Sequence, residues 1–147
     1  MRAVIPTVIT QLARGDGKIE LGALTPTRDS TFVGDTAAGI AAAGVSDNAI
    51  GHVTNIGSGF EISVRDVAAV IAEVMDKQVE IVQDPKRMRP EASEVDRLFA
   101  GIKNAEQRLG WTPENGGLDG FKHGIARTVE WFADPENLAR YPQGYQV

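Results

Sequence analysis

Two arginines carry the clearest chemical potential in this chain. Arg28 lies in Thr25-Pro-Thr-Arg-Asp-Ser-Thr-Phe-Val-Gly-Asp35, and Arg89 in the basic run Lys86-Arg-Met-Arg-Pro90. A guanidinium offers fork-shaped donor pairs that match phosphate oxygens and keeps its charge at any ordinary pH. A diphosphate needs such neutralisation from more than one side. The residues alone allow a second reading, in which Arg28 pairs with Asp29 or Asp35 and Arg89 with Glu91 or Glu94, since surface ion pairs are common. A third feature is the glycine-flanked turn Asn55-Ile-Gly-Ser-Gly59, between a strand pattern and a helix pattern. Backbone N–H groups at such a place can receive an anion. The turn lacks the GxGxxG spacing, and no GxxxxGK[ST] loop occurs anywhere, so a plain connection that needs glycine dihedrals fits it equally.

Other chemistries find little support. There is no cysteine, hence no disulfide, zinc thiolate or thiol nucleophile. His52 and His123 are far apart and lack a metal-ligand spacing partner. No GxSxG elbow organises a serine nucleophile. The acidic group Glu91, Glu94 and Asp96 reads as a solvated face, and Trp111 and Trp131 read as packing residues.

The bulk properties bound the rest. The 147 residues suit one ordinary domain, with 42% hydrophobic and 24% charged residues, as in a soluble globular protein. A net charge of -5 argues against broad nucleic-acid binding, which depends on many neutralising basic side chains. No apolar run approaches a membrane span and no secretory pattern opens the chain, so the expectation is a cytoplasmic protein without a membrane or nucleic-acid partner.

The elements that must position the arginines follow from periodicity. Val4, Ile5, Val8, Ile9 and Leu12 mark a helical face that Gly15 to Gly17 stops. Lys18 to Gly22 alternates as a strand. Asp35 is placed to cap the alanine-rich helix that follows it. Gly51 to Gly57 reads as a short buried strand, and Ser63-Val-Arg-Asp66 as a capping box opening a helix with Val67, Ala68, Val70, Ile71 and Val74 inward. Val79 to Val82 is the next strand, ended by Asp84-Pro85. Lys103 to Leu109 is a short helix closed by Gly110, and Leu118 to Phe132 a longer one. The tail from Asp134 shows no usable periodicity. Helices and strands alternate, which gives an α/β or α+β class, but with only three or four short strands the sheet is left open-edged.

In order and spacing, these motifs resemble the C-terminal portion of the extended short-chain dehydrogenase/reductases that act on nucleotide sugars, the NAD-dependent epimerases and 4,6-dehydratases. The residues that carry the resemblance are Arg2-Ala-Val-Ile-Pro6, Leu21-Gly22, Arg28-Asp29 with Val33 and Asp35, Asn55 to Glu61, Arg89-Pro90, and Leu109-Gly-Trp-Thr-Pro113 with Leu118 to Phe132. The wording of residues 23–29 and 89–98 is similar to UDP-N-acetylglucosamine 4,6-dehydratase-like members. The resemblance implies an α/β fold that is the substrate-binding part of such an enzyme, with residues 1–133 as the nucleotide-sugar-binding region and residues 134–147 as a tail. It implies that Arg28 and Arg89 bind the diphosphate, that Asn55 lies close to it, and that Val4 and Leu21 line the base. Ser30 stands where the family has an aromatic residue, and Ala100-Gly-Ile-Lys-Asn-Ala105 lacks a helix-opening aspartate.

Most of the Rossmann domain implied by the resemblance is missing from the sequence. The family's GxxGxxG dinucleotide turn and YxxxK pair do not occur in these 147 residues. The implied reading is a UDP-sugar-binding part, catalytically incomplete as this chain alone. The resemblance further implies that NAD serves the complete enzyme and is not bound by this chain alone, that an N-terminal NAD-binding half is a partner, and that the complete enzyme is a homo-oligomer. The alternatives are a non-catalytic nucleotide-sugar or protein-binding module and an inactive truncated fragment.

Overall fold

A computed structural model describes residues 3–88, 90 and 94–141. By its internal contacts the chain forms two compact units, each built from separated segments: Met1–Pro26, Ser63–Asp96 and Ile125–Val147 in the first, Thr27–Ile62 and Arg97–Gly124 in the second.

The first unit begins with helix α1 (Val4–Arg14), which buries Val8, Ile9 and Leu12 completely. Helix α3 (Val64–Val74) packs on α1 and contributes Val67 and Ile71. Ser63 caps it as the sequence predicts: its Oγ accepts from Asp66 N at 3.1 Å, and its hydroxyl donates to Asp66 Oδ2 at 2.6 Å. Strand β1 (Lys18–Leu21) pairs in parallel with β4 (Glu80–Gln83), Ile19 opposite Ile81 and Leu21 opposite Gln83. The alternation of β1 turns Ile19 and Leu21 into the core and Lys18 and Glu20 outward. The Gln11 amide completes β1 by donating to Glu20 O and accepting from Glu20 N. Gly17, at φ +100°, is required where it stands: a Cβ would lie 2.6 Å from Gln78 O.

The second unit is organised around two very short strands. β2 (Thr27–Arg28) and β5 (Arg97–Leu98) run parallel, Thr27 opposite Arg97 and Arg28 opposite Leu98. β3 (Ile62–Ser63) takes the other side of β2, which makes β2 the central strand. Helix α2 (Val33–Val45) approaches residue 56 so closely at Gly39 that a Cβ there would meet Ile56 Cγ2 at 2.7 Å. Helix α4 (Lys103–Leu109) ends at Gly110 in the left-handed conformation, φ +62°, as the sequence predicts. Helix α5 (Gly117–Ala133) starts in this unit, where Phe121 is buried against Phe60. Trp111 is buried, while Trp131 is half exposed and packs edge-on to Phe132 and Tyr141 in the first unit.

Two expectations are corrected, and a segment that the sequence left unassigned proves helical. Asp35 is not a helix cap: α2 starts at Val33, and Asp35 lies in its first turn, 3% exposed, with its carboxylate turned to another segment. The oxygens accept from Glu114 N and Asn115 N at 3.0 Å each and from Asn115 Nδ2 at 3.1 Å. Asn115 Oδ1 in turn lies 2.8 Å from His123 Nδ1. Residues 52–57 are not a strand here but lack regular structure, because no strand among the described residues pairs with them, and Val53 is left 84% exposed. The region after Asp134 does hold regular structure, a one-turn helix α6 (Pro135–Ala139) capped by Asp134, whose Oδ1 accepts from Glu136 N.

Candidate functional site

Arg28 sits on the central strand of the second unit, half-buried, with Nη1 donating to Thr27 O at 2.8 Å. Its backbone position is fixed from both sides. Thr27 Oγ1 donates to Glu61 Oε2 at 2.8 Å, and Asp29 N donates to Leu98 O at 2.9 Å. Glu61 is also held by a two-pronged contact from Arg97, with Nε 2.8 Å from Oε2 and Nη2 2.6 Å from Oε1. The Arg97 guanidinium lies over the Phe99 ring, 5.2 Å from its centroid.

These donors hold the Glu61 carboxyl at about 2, below its ordinary 4.5, with the Arg97 hydrogen bonds the largest cause and Thr27 the next. The Arg97 guanidinium is shifted up in return. A carboxyl whose pKa is depressed by folding stabilises fully above its unfolded value and loses that contribution as pH falls through its folded one. The Thr27–Glu61–Arg97 contact is therefore expected to stabilise the strand pair above pH 4.5 and to fade between 4.5 and about 2. Glu61→Gln should flatten the stability profile in that window, and an unchanged acid limb in thermal melts of the variant would contradict the assignment.

The turn Asn55 to Gly59 is tied to the same strand. Asp29 Oδ1 accepts from Ser58 N at 2.8 Å and from Ser58 Oγ at 2.6 Å. Thr31 Oγ1 adds a 3.3 Å contact to that oxygen, and Ala100 N reaches Oδ2 at 3.4 Å. Gly57 is required by this arrangement, because a Cβ would lie 2.4 Å from Ala100 Cβ and 2.9 Å from Asp29 Oδ2. Gly59, at φ +64°, reverses the chain beside Ile102.

This geometry decides how the turn can act. Ser58 N–H is taken by a carboxylate, and Phe60 N–H donates to Ser58 Oγ at 3.2 Å. In the first unit the opening donors of α3 are also engaged, Val64 N by Pro26 O, Arg65 N by Leu24 O and Asp66 N by Ser63 Oγ. An anion at Ser58 would face the Asp29 charge instead of an open N–H. The turn thus braces β2 through Asp29, and its Ser58 and Phe60 N–H groups are already engaged.

Of the residues the sequence singles out, Arg28 and the exposed Asn55 lie in the second unit, on β2 and on the turn that Asp29 ties to it. Leu21, buried in the core, and Val4, half-buried at the start of α1, lie in the first. Arg89 and Glu91 lie outside the described residues. Arg87, in the same basic run, is committed to ion pairs with Glu20 and Asp84, both at 3.3 Å. Where the resemblance leads to an aromatic at position 30, Phe32 carries a ring two residues on, packed closely enough on Gly124 that a Cβ there would lie 3.2 Å from Phe32 Cδ2. Sequence reading missed Asp29, Ser58, Glu61 and Arg97. The available signals were an aspartate directly after the arginine and a serine between two glycines.

Comparison with known proteins agrees with this architecture. The family profile described as GDP-mannose 4,6 dehydratase matches residues 1–124. A putative UDP-glucose 4-epimerase from Methanocaldococcus jannaschii is 35% identical over 128 residues, which are 87% of this chain and 38% of that protein. An epimerase structure from Methanothermobacter thermautotrophicus superposes with a TM-score of 0.80 at 31% identity, covering 95% of this chain and 39% of its own. The Bordetella bronchiseptica enzyme WbmF, solved with NAD+, gives 0.72 at 29% identity, covering 95% and 39%. The chain thus spans about two fifths of the length of the relatives it matches. It belongs to the GDP-mannose 4,6-dehydratase family, among the NAD-dependent nucleotide-sugar epimerases and dehydratases of the extended short-chain dehydrogenase/reductase class, and corresponds to their C-terminal portion.

Proposed function

We propose that this chain is the nucleotide-sugar-binding part of an NAD-dependent epimerase or 4,6-dehydratase, with a UDP-sugar as its ligand, and that it is catalytically incomplete alone. The observation that carries the reading is Arg28, held half-buried on a central strand whose register is fixed by Glu61 on one side and Asp29 on the other. A guanidinium placed this way loses little freedom on meeting a diphosphate, so more of the charge-assisted contact appears as affinity. Arg89 is proposed as the second clamp on the diphosphate, Asn55 as a neighbour of it, and Val4 and Leu21 as apolar contacts of the base. A relative bearing the name UDP-glucose 4-epimerase supports the choice of nucleotide.

The redox chemistry of such an enzyme belongs to NAD, which takes a hydride from a sugar hydroxyl carbon and returns it. The residues present do not fit that group. GxxGxxG is absent, and neither Tyr141 nor Tyr145 opens a YxxxK. We therefore assign this chain the binding of the substrate's diphosphate end and no step of the hydride transfer, which falls to an N-terminal NAD-binding half. Val33, Ile40, Val45, Ile50 and Val53, all exposed and all in the second unit, support a partner that covers apolar surface.

Calorimetric titration tests the reading. UDP-N-acetylglucosamine is expected to bind the isolated chain, while NAD and free N-acetylglucosamine do not. No heat with UDP-, dTDP- or GDP-sugars would overturn it.

A further inference from the structure

We propose that Asp29 is a positioning residue for nucleotide binding, coupling Arg28 to the Asn55–Gly59 turn so that the two act as one subsite; this rests on the nucleotide-sugar reading. Asp29 follows Arg28 directly and is hydrogen bonded through its own N–H to Leu98 O at 2.9 Å, so its side chain leaves the strand from a fixed point. Its carboxylate meets only donors. Ser58 N, Ser58 Oγ and Thr31 Oγ1 face Oδ1 at 2.8, 2.6 and 3.3 Å, and Ala100 N faces Oδ2 at 3.4 Å. Gly57 lets the turn come this close.

An ionised carboxylate accepts on both oxygens, whereas an amide of the same shape must present N–H to one of these two groups of donors. Asp29→Asn thus keeps volume and removes the match. With the amide oxygen toward Ser58, its NH2 opposes Ala100 N; with the reverse, it opposes Ser58 N–H and turns the Ser58 hydroxyl proton to Phe60 O. Either choice loosens the turn from β2, and with it the joint placement of Arg28 and Asn55. A residue that only stabilised the fold would lower the melting temperature and leave the energetics of Arg28 independent of it. A positioning residue makes the two effects overlap.

The experiment is a double-mutant cycle read in UDP-N-acetylglucosamine affinity, with thermal melts alongside. Asp29→Asn is expected to weaken binding about tenfold, and Arg28→Ala roughly tenfold or more. The Arg28→Ala/Asp29→Asn double variant should bind more tightly than the product of the two single losses predicts, because part of what Asp29 supports is already gone. Wild-type affinity in Asp29→Asn, or losses that multiply in the double variant, would overturn the positioning role and leave the nucleotide-sugar reading standing. A wild-type protein that binds no nucleotide sugar would overturn both. Should Asp29→Asn fail to fold, Ser58→Ala, which removes one of the hydrogen bonds to Oδ1, carries the test: a loss of a few fold supports the role, and full affinity overturns it.

Discussion

Asp35→Ala is expected to lose on the order of 3–5 kcal/mol of stability, because it leaves buried donors with no acceptor. Asp35 is 3% exposed, and its two oxygens accept from Glu114 N, Asn115 N and Asn115 Nδ2. Each buried N–H left unsatisfied costs roughly 1–3 kcal/mol. Asn115 is itself buried and loses one of the partners that orient its side chain toward His123. The Asn115 backbone also packs on Gly120, where any Cβ would collide with it. Asp35→Asn keeps one acceptor and should fall between wild type and alanine. Urea denaturation of the three proteins checks the order. An alanine variant within about 0.5 kcal/mol of wild type, the range of ordinary surface changes, would show that the loop at 114–115 finds other acceptors.

The second large effect is in the first unit. Leu12 is fully buried on the inner face of α1, the helix that packs on α3 and β1. Its truncation to alanine removes the transfer free energy of the lost methyl groups and leaves a cavity that the surrounding core fills only in part, for an expected loss of about 2–5 kcal/mol. The Lys77 ammonium donates to Leu12 O, which fixes that turn of the helix and limits collapse. Val45, 88% exposed at the end of α2, is the contrasting site. Val45→Ala should change the stability of this chain by less than about 0.5 kcal/mol. Chemical denaturation of both variants separates the cases, and a Leu12→Ala protein as stable as Val45→Ala would contradict the described core.

What was legible in the sequence follows the range of the interactions. α1, α3, α4 and α5 were readable because a helix carries its own periodicity and its own stop signals, such as Ser63 before α3 and Gly110 after α4. α6 was overlooked because a single turn is too short for periodicity to show. Strands depend on partners. Residues 52–57 have the composition of a strand but find no pairing among the described residues, whereas Arg97–Leu98 has no strand pattern and becomes one because β2 lies beside it. Asp35 illustrates the same limit, since an aspartate ahead of an alanine-rich run looks like a cap until a loop far along the chain claims its oxygens.

The site divides in the same way. Arg28 stood out as a lone arginine in a turn-prone run, but the residues alone left an ion pair with Asp29 or Asp35 open, and only the resemblance pointed it at a diphosphate. Its supports did not stand out, because Asp29 to Ser58, Thr27 to Glu61 and Glu61 to Arg97 are long-range contacts that no local pattern announces. The glycine-flanked turn looked open to an anion, and only the hydrogen bonds reveal that Ser58 N–H is already engaged by a carboxylate.

The central claim is that Arg28 holds a nucleotide diphosphate, and titration of UDP-N-acetylglucosamine into the wild-type protein and Arg28→Ala tests it most directly. The loss of one charge-assisted contact, about 1.5–3 kcal/mol, predicts that the variant binds roughly ten to more than a hundred times more weakly while melting at nearly the wild-type temperature. Equal affinity in the two proteins would remove Arg28 from the site.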